Sequence, residues 1–433
     1  EDEDKAVLSD FIFRRTRGNP LFITQLAKQI NQEIPVDTIN GAGSTFSFVS
    51  LLNNIEPYDD LAELISMQIQ SMEASRQFDL GVFSLWGDSI TPGEARKYLN
   101  IQEERFYSCV ELAVAKELLI PRRVKDNDSE PEEMIKLPEN KYFHLEAMEF
   151  CFVHDKIRES ARACLPESVQ ARVHSEIAIK ICPENDNDLP ADYLKISFHV
   201  YSSMNPGLLH NYDKLGKCFY KGMEILHATH NFGIANKYCE YFLNVVLHSS
   251  RVSLTEDIFR TLYIALDTSY AIDNMPLVKK IENFISLNEL NPLKRAKLLE
   301  VQMKHSFPRG DVDLAFLYGI KGLSLLGYKI SKSPGLHTVI ILFLSLRLRL
   351  RKYSDDDILS LKENNNEKAM TASRLYAAFI PPAFNSGELN LFSCAVLKAS
   401  LITLKSGISS ESAPGFMGYA ILLAAFGFVQ EAY

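Results

Sequence analysis

Phe150-Cys151-Phe152-Val153-His154-Asp155-Lys156-Ile157-Arg158 is the stretch on which the fold of this chain turns. Its first four residues are apolar and alternate as a half-buried strand does. From Asp155 the period changes, and Ile157 and Ala161 share one helix face. Upstream, Leu61, Leu64, Ile65, Ile69 and Met72 mark one helix, and Phe78, Val82, Phe83 and Trp86 mark a second. A third is expected from about Glu103 to Leu119, with Phe106, Val110, Ala113 and Val114 on its apolar side. A strand near Leu119–Val124 and a polar stretch at 125–140 lead back to Phe150. Three helices followed by a two-stranded wing is the order of a winged helix, expected here over residues 60–185.

Working outward, residues 5–34 read as two short helices. Val7, Leu8, Phe11 and Ile12 lie on one apolar face, and Leu21, Phe22, Leu26 and Ile30 on another. Gly18 suits the C′ position of the first helix, Asn19 the N-cap of the second and Pro20 its first turn. Residues 35–59, with Gly41, Gly43 and Pro57, read as a linking loop.

From about residue 190 the pattern is all-helical. Ala235 is followed by Cys239 and Phe242, Ala315 by Gly319 and Gly322, and Ala395 by Ala399 and Ile402, so the three small-residue helices start 80 residues apart. Each follows a turn: Asn231-Phe232-Gly233, Arg309-Gly310-Asp311 or Ser386-Gly387-Glu388. Small residues at i, i+4 and i+7 let helices approach closely, as in tetratricopeptide-type stacks with units of about 40 residues. The intermediate unit near Met275-Pro276 lacks the Ala, and the one due near 355 is unrecognisable. The expected fold class is therefore mainly α: a lid and winged-helix part over 1–59 and 60–185, then a tetratricopeptide-like superhelix over 190–433. An unrelated helical bundle is the alternative for the last part.

The 433 residues allow two to four domains. A net charge of −9 opposes broad binding to nucleic acid or an anionic membrane. The seven cysteines are scattered without a Cys-x-x-Cys pair, which reads as reduced thiols and a cytoplasmic setting. The greasiest stretch, Val339–Leu346, is far shorter than a bilayer span and runs into Arg347, Arg349, Arg351 and Lys352. The chain opens without Met or an apolar leader and stops inside an apolar helical pattern, so a fragment of a larger protein is expected.

Two corners could carry chemistry. Gly18-Asn19-Pro20 is by itself an efficient turn between helices. Its functional reading sets Pro20, which lacks an N–H and is fixed in φ, against an adenine base. His154-Asp155 is by itself a solvated His at a strand end, with Asp155 capping the next helix. Its functional reading rests on a likeness. Arg15-Thr16-Arg17-Gly18-Asn19-Pro20-Leu21-Phe22 resembles the Lys-Thr-x-Gly-Asn-Pro-Phe-Phe lid segment of signal-transduction ATPases with numerous domains, the origin-recognition-complex-like AAA branch. Phe152–Arg158 resembles the hydrophobic-His-Asp turn of their winged helix. Arg172-Val173-His174, Phe198-His199, Gly319–Tyr328, Leu401–Gly407 and Ser412-Ala413 are similar to further positions of that family.

The resemblance implies that His154 touches the β-phosphate of bound ADP and locks a resting state, with Asp155 orienting the loop. Gly18, Asn19 and Pro20 would complete the nucleotide site. It also implies ATP or ADP as cofactor of the intact parent protein, which in this family stands beside a kinase, cyclase or histidine-kinase domain. No cofactor is expected for these residues alone, since Gly-x-x-x-x-Gly-Lys-[Ser/Thr] is absent and Gly41-Ala42-Gly43-Ser44-Thr45 lacks the Lys. Phosphoryl transfer needs that Lys, cradling amides and a metal, so no catalysis is expected here.

Other constellations are weaker. His227 and His230 with Cys239 lack a fourth metal ligand, so no metal site is expected. The third helix of the expected winged helix holds four Glu against one Arg and one Lys, and residues 120–141 hold six acidic against five basic side chains. DNA binding requires the opposite balance. Two functions remain: a nucleotide-dependent regulatory switch whose helical repeats bind a protein partner or a sensed ligand, or a non-catalytic protein–protein scaffold with a degenerate nucleotide site.

Overall fold

In the computed structural model, residues 2–33, 61–123, 148–183, 192–211, 213–247, 256–287 and 290–432 are described. They form 22 helices and three short strands, a mainly α protein. The loop expected at 35–59 and the polar stretch 125–140 lie outside the described residues. Residues 1–218 and 219–433 are two compact units.

In the first unit, α1 (Asp2–Thr16) and α2 (Pro20–Glu33) precede α3 (Leu61–Gln70) and α4 (Ala74–Trp86). Strand β1 (Ser89–Ile90), α5 (Pro92–Leu99), α6 (Glu103–Ala115), β2 (Leu119–Arg123) and β3 (Met148–Phe152) follow. The strands form one antiparallel sheet in the order β1-β3-β2, with Ser89 opposite Cys151 and Leu119 opposite Phe152. Two features correct the expected order of three helices and two strands. β1 adds a third strand, and α5 adds a helix between the second and third. Pro92-Gly93 and the charged Arg96-Lys97 hide α5 from an apolar-period reading. Its start is nonetheless written in the chain: the Thr91 hydroxyl accepts the Glu94 N–H at 3.2 Å, and the Glu94 carboxylate accepts the Thr91 N–H at 2.9 Å. α6 also stops four residues short of Leu119. Glu117 takes φ 53°, and the Leu118 N–H returns to the Ala113 carbonyl at 2.8 Å.

Helices α7 (Asp155–Ala163) and α8 (Glu167–Ile181) close the core, which gathers Ile65, Ile69, Phe83, Phe106, Phe150 and Ile157. Each such side chain contributes about 1.5–3 kcal/mol by leaving water. Gly81 lets α4 and α7 cross tightly, because a Cβ there would meet Leu165 Cγ at 2.7 Å. The unit continues past residue 185 through α9 (Tyr193–Ser202) and α10 (Pro206–Asn211), since α8 packs on α9.

Helix α11 (Asp213–Ala228) leads into the second unit, which contains α12 (Phe232–Leu247), α13 (Glu256–Ala271), α14 (Met275–Leu287), α15 (Pro292–Ser306) and α16 (Val312–Leu325). After these come α17 (Leu336–Leu350), α18 (Asp355–Leu359), α19 (Glu367–Asn385), α20 (Leu389–Ser406), α21 (Ser412–Ala425) and α22 (Val429–Ala432). One turn recurs. His230, Asp273, Gly310, Gly387 and Gly427 all have φ between 59° and 86°. The N–H of the next residue then bonds the carbonyl five residues back, for example Asn231 to Leu226 at 2.8 Å and Asp311 to Ser306 at 3.0 Å. This Schellman geometry ends one helix and starts the next.

Gly327, φ 75°, ends α16 in the same way, with the Tyr328 N–H on the Leu323 carbonyl at 2.9 Å; the other five turn residues lie 43, 37, 77 and 40 positions apart. The long interval contains α17 and α18. α19 packs directly on α15 and α16, as α15 packs on α13, whereas α17 lies against α20. The segment near 355 holds only the short helix α18. Aligned on the turns, Ala235 and Ala315 both stand five residues after the turn residue, and Phe392 holds that place in α20. Ala395 sits one helical turn further on, still on the buried face. Gly319 and Gly322 act as the small-residue pattern requires, since a Cβ on Gly319 would meet Met303 Sδ and the Phe379 ring at 2.6 Å.

Among the described residues, one helix is long and apolar enough to cross a membrane, α20, and 61% of it is buried. It packs against α17, α19 and α21.

Gly319→Val therefore lowers stability by about 1–3 kcal/mol through overpacking. Gly216→Ala, inside α11 with nothing within 4 Å of the new Cβ, stays neutral or gains up to about 1 kcal/mol. Urea midpoints followed by helical circular dichroism check both.

Candidate functional site

Thr16 ends α1 with its hydroxyl donating to the Ile12 carbonyl at 2.8 Å. Arg17 and Gly18 then take left-handed backbone, φ 48° and 81°. Asn19 caps α2, its Oδ1 accepting the Phe22 N–H at 3.2 Å. Pro20 opens α2 and is exposed, as are Gly18 and Asn19. The corner is held from behind. Phe22 and Leu26 are buried, Gln68 on α3 donates to Gln25 at 2.9 Å, and Lys28 pairs with Glu117.

The second corner joins β3 to α7. The N-cap is His154, which corrects the assignment of that role to Asp155. His154 Nδ1 accepts the Lys156 N–H at 3.1 Å. Asp155 is the first helical residue and pairs with Arg158 at 3.3 Å, and Arg158 also reaches Asp88 at 2.7 Å. The Phe152 N–H bonds the Asp88 carbonyl at 2.9 Å, so the turn is tied to the residue before β1. Ile157 and Ala161 bury the other side of α7.

This cap fixes the imidazole chemistry. A nitrogen that accepts an N–H carries no proton, so the neutral ring holds its proton on Nε2. His154 is exposed, and it offers that donor at the start of a helix, where the backbone dipole favours anions. The two corners are linked by packing within one unit, α2 on α3 and α3 on α7. His154 and Asp155 direct their hydrogen bond and ion pair to Lys156 and Arg158 of their own corner.

Two polar clusters were not foreseen from the sequence as clusters. His174 on α8 and His199 on α9 meet Nδ1 to Nδ1 at 2.8 Å, and both are buried. His199 Nε2 has no hydrogen-bond partner among the described residues. Trp86 stacks against His199 and Tyr98, with Lys195 Nζ 3.4 Å from its ring centre. Burial pulls His174 down to about 4, with Arg162 adding to it, and pulls His199 down to about 2, with His174 and Lys195 adding to it. Both rings are neutral at pH 7.

In the second unit Asp267 on α13 accepts from His227 on α11 and His305 on α15, both at 2.7 Å. Burial pushes the Asp267 carboxyl up, but these two bonds and Lys304 outweigh it and hold the group below the usual carboxylate range. The same helices carry further pairs: Arg260–Glu224 at 3.6 Å, Lys294–Glu256 at 2.9 Å, Lys297–Glu367 at 3.4 Å and Arg374–Glu300 at 2.8 Å. A polar seam thus runs from α11 through α13 and α15 to α19. His227 serves that seam. Cys239 is buried against Met223 Sδ at 3.6 Å, and His230 occupies a left-handed turn. Among the described residues, no group of three or more His, Cys, Asp or Glu side chains is placed to hold a metal ion.

Searches of protein-family models, curated proteins and solved structures find no match to this chain.

The buried imidazoles give a pH dependence of known sign. Between pH 6.5 and 4 the unfolded chain binds protons that the folded His174 refuses. Stability is therefore full above about pH 6.5 and falls as the medium is acidified toward 4, by about 3 kcal/mol for His174 alone. Trp86, the single tryptophan, sits on the pair and reports it. The His174→Leu/His199→Leu double variant loses less stability between pH 7 and 5 in denaturant titrations followed by Trp86 fluorescence. An equal loss in both proteins would contradict this.

Proposed function

We propose that this chain is a regulatory module of an ATP-binding signalling protein. In this reading residues 1–59 are the lid helices of an AAA-type nucleotide domain, and 60–185 are its winged helix. Residues 190–433 are tetratricopeptide-like repeats that meet a protein partner or a sensed ligand. The setting is cytoplasmic, with neither nucleic acid nor membrane as partner. The nucleotide is ATP or ADP held by a P-loop domain of the same protein, with Gly18, Asn19, Pro20, His154 and Asp155 on the lid side. Occupancy there shifts an open–closed equilibrium, and the repeats bias the same equilibrium through their own ligand.

The observation that carries this reading is the His154 cap. Its Nδ1 is committed to the Lys156 amide, which leaves Nε2–H free to donate to a phosphate oxygen. The turns at recurring positions 230, 273, 310, 387 and 427 support the repeat part of the reading. One charged hydrogen bond and one small apolar contact supply about 1–3 kcal/mol together, so these residues alone bind nucleotide only in the millimolar range. Hydrolysis is not expected from them.

The scaffold reading, with a degenerate nucleotide site, is favoured by one feature. Helix α17 buries Val339, Phe343 and Leu346 yet exposes Leu336, Ile340, Ile341, Leu344 and Leu348. Such an outward apolar row suits contact with another protein.

Histidine-selective isotope labelling separates the two. With ADP at roughly 10 mM, well above a millimolar Kd, the His154 ring signals shift while those of buried His174 do not. His154→Asn keeps a capping oxygen but removes the Nε2 donor, so the neighbouring amides no longer respond. ADP that leaves His154 unmoved overturns the switch reading. ATP turnover above a heat-inactivated control would overturn the non-catalytic assignment.

A further inference from the structure

Helix α17 turns one side into the second unit and the other to solvent. The outward side holds Leu336, Ile340, Ile341, Leu344 and Leu348, each between 48% and 64% exposed. Their spacing makes them one stripe of the helix. The stripe does not stop at Leu348. Arg351, three residues on, keeps helical backbone at φ −56° and ψ −15°, so it continues the row with Lys352 beside it. Both are exposed. From Leu336 to Arg351 the row runs about 20 Å, the rise of roughly four turns.

The charge at its end is not spent inside the fold. Arg347 pairs with Glu431 at 2.6 Å and lies over the Phe428 ring at 4.0 Å. Among the described residues, Arg349, Arg351 and Lys352 make no ion pair. The nearby Asp357 closes a capping box, its carboxylate accepting the Ser354 N–H at 2.8 Å. In a chain of net charge −9, residues 314–354 hold seven Lys or Arg and no Asp or Glu. A helix dipole favours cations on any side of a last turn. It does not by itself set two of them in line with an outward apolar row. At the other end of the row Lys332 already pairs with Asp313 at 2.7 Å. A second copy laid on the stripe, parallel or antiparallel, would therefore bring more cations and no acid to meet them.

We propose that the outer face of α17 docks an amphipathic helix of another protein that carries Asp or Glu in its first turn and lies antiparallel on the stripe. The inference rests on the reading of the second unit as a surface that meets a protein partner. Apolar side chains at every third or fourth position of the partner cover Ile340, Ile341, Leu344 and Leu348. Its first-turn acids pair with Arg351 and Lys352. The two dipoles set the direction, since the partner's N-terminus favours acids and the C-terminus of α17 favours cations. Apolar contact supplies the affinity, and the exposed ion pairs, each weak, supply the choice of partner.

Fluorescence anisotropy of a labelled peptide against the whole chain tests this. The probe is a synthetic helix of about 16 residues with Leu at every third or fourth position and Glu in its first turn. One twin carries Gln and another Lys in place of Glu. The Glu peptide binds the wild type, and the Gln twin binds about 3- to 10-fold more weakly. The Lys twin is weaker still, and added salt narrows the differences. Leu344→Glu abolishes binding, and Arg351→Glu/Lys352→Glu reverses the order so that the Lys twin binds best. Equal binding of all three peptides to the stripe leaves a protein-contact face but overturns the acidic partner. Glu-peptide binding that survives Leu344→Glu, or no binding at all, overturns the face itself. Sedimentation of the wild type with phosphatidylserine vesicles, or as a dimer, that Leu344→Glu removes would assign the stripe to a membrane or to a second copy and overturn the proposal. The peptide order and its salt dependence in the wild type decide the matter even if a variant folds poorly.

Discussion

The hydrogen bond from the Lys156 amide to His154 Nδ1 is the constraint on which the first unit's chemistry depends. It ends β3, starts α7 and fixes which ring nitrogen carries the proton. Without it the imidazole would be one more solvated side chain. With it, a donor of defined direction stands at a helix start whose dipole favours an anion. The support behind it is extensive: Arg158 bridges Asp155 and Asp88, and Ile157 packs into the core shared by α3, α4 and α6. The Gly18-Asn19-Pro20 corner is built the same way, with a capping side chain in front and buried Phe22 and Leu26 behind.

Much of this was legible in the chain because local signals were strong. The Gly-Asn-Pro corner, the change of period at His154 and the apolar rows of α3, α4 and α6 each state their element within a few residues. What escaped reading depended on polar or long-range features. α5 carries its signal in a Thr91–Glu94 capping box instead of an apolar stripe. β1 is two residues long and exists only because β3 is there to pair with it. Glu117 in left-handed backbone ends α6 early, and nothing about Glu announces that. The contact His174–His199 bridges 25 positions, and no local pattern encodes it.

The helical half shows the same division. Glycine marks several of the helix-ending turns, but His230 and Asp273 take the same left-handed place without it. The turns at Gly310 and Gly387 lie 77 apart, so the 80-residue spacing places Ala395 one helical turn beyond the position that Ala315 holds. α17 has two apolar sides, one buried and one exposed. The seam of Asp267, Glu300, Arg374 and their partners crosses successive helices, which are bound together by paired charge as well as by close packing.

The central claim is that the proline corner and the histidine cap face one nucleotide. Paramagnetic broadening by a spin-labelled ADP tests it most directly. The account predicts that amide signals of Gly18 and ring signals of His154 broaden together, and that unlabelled ADP restores both. Broadening of one corner without the other, at a concentration where binding is evident, would contradict it.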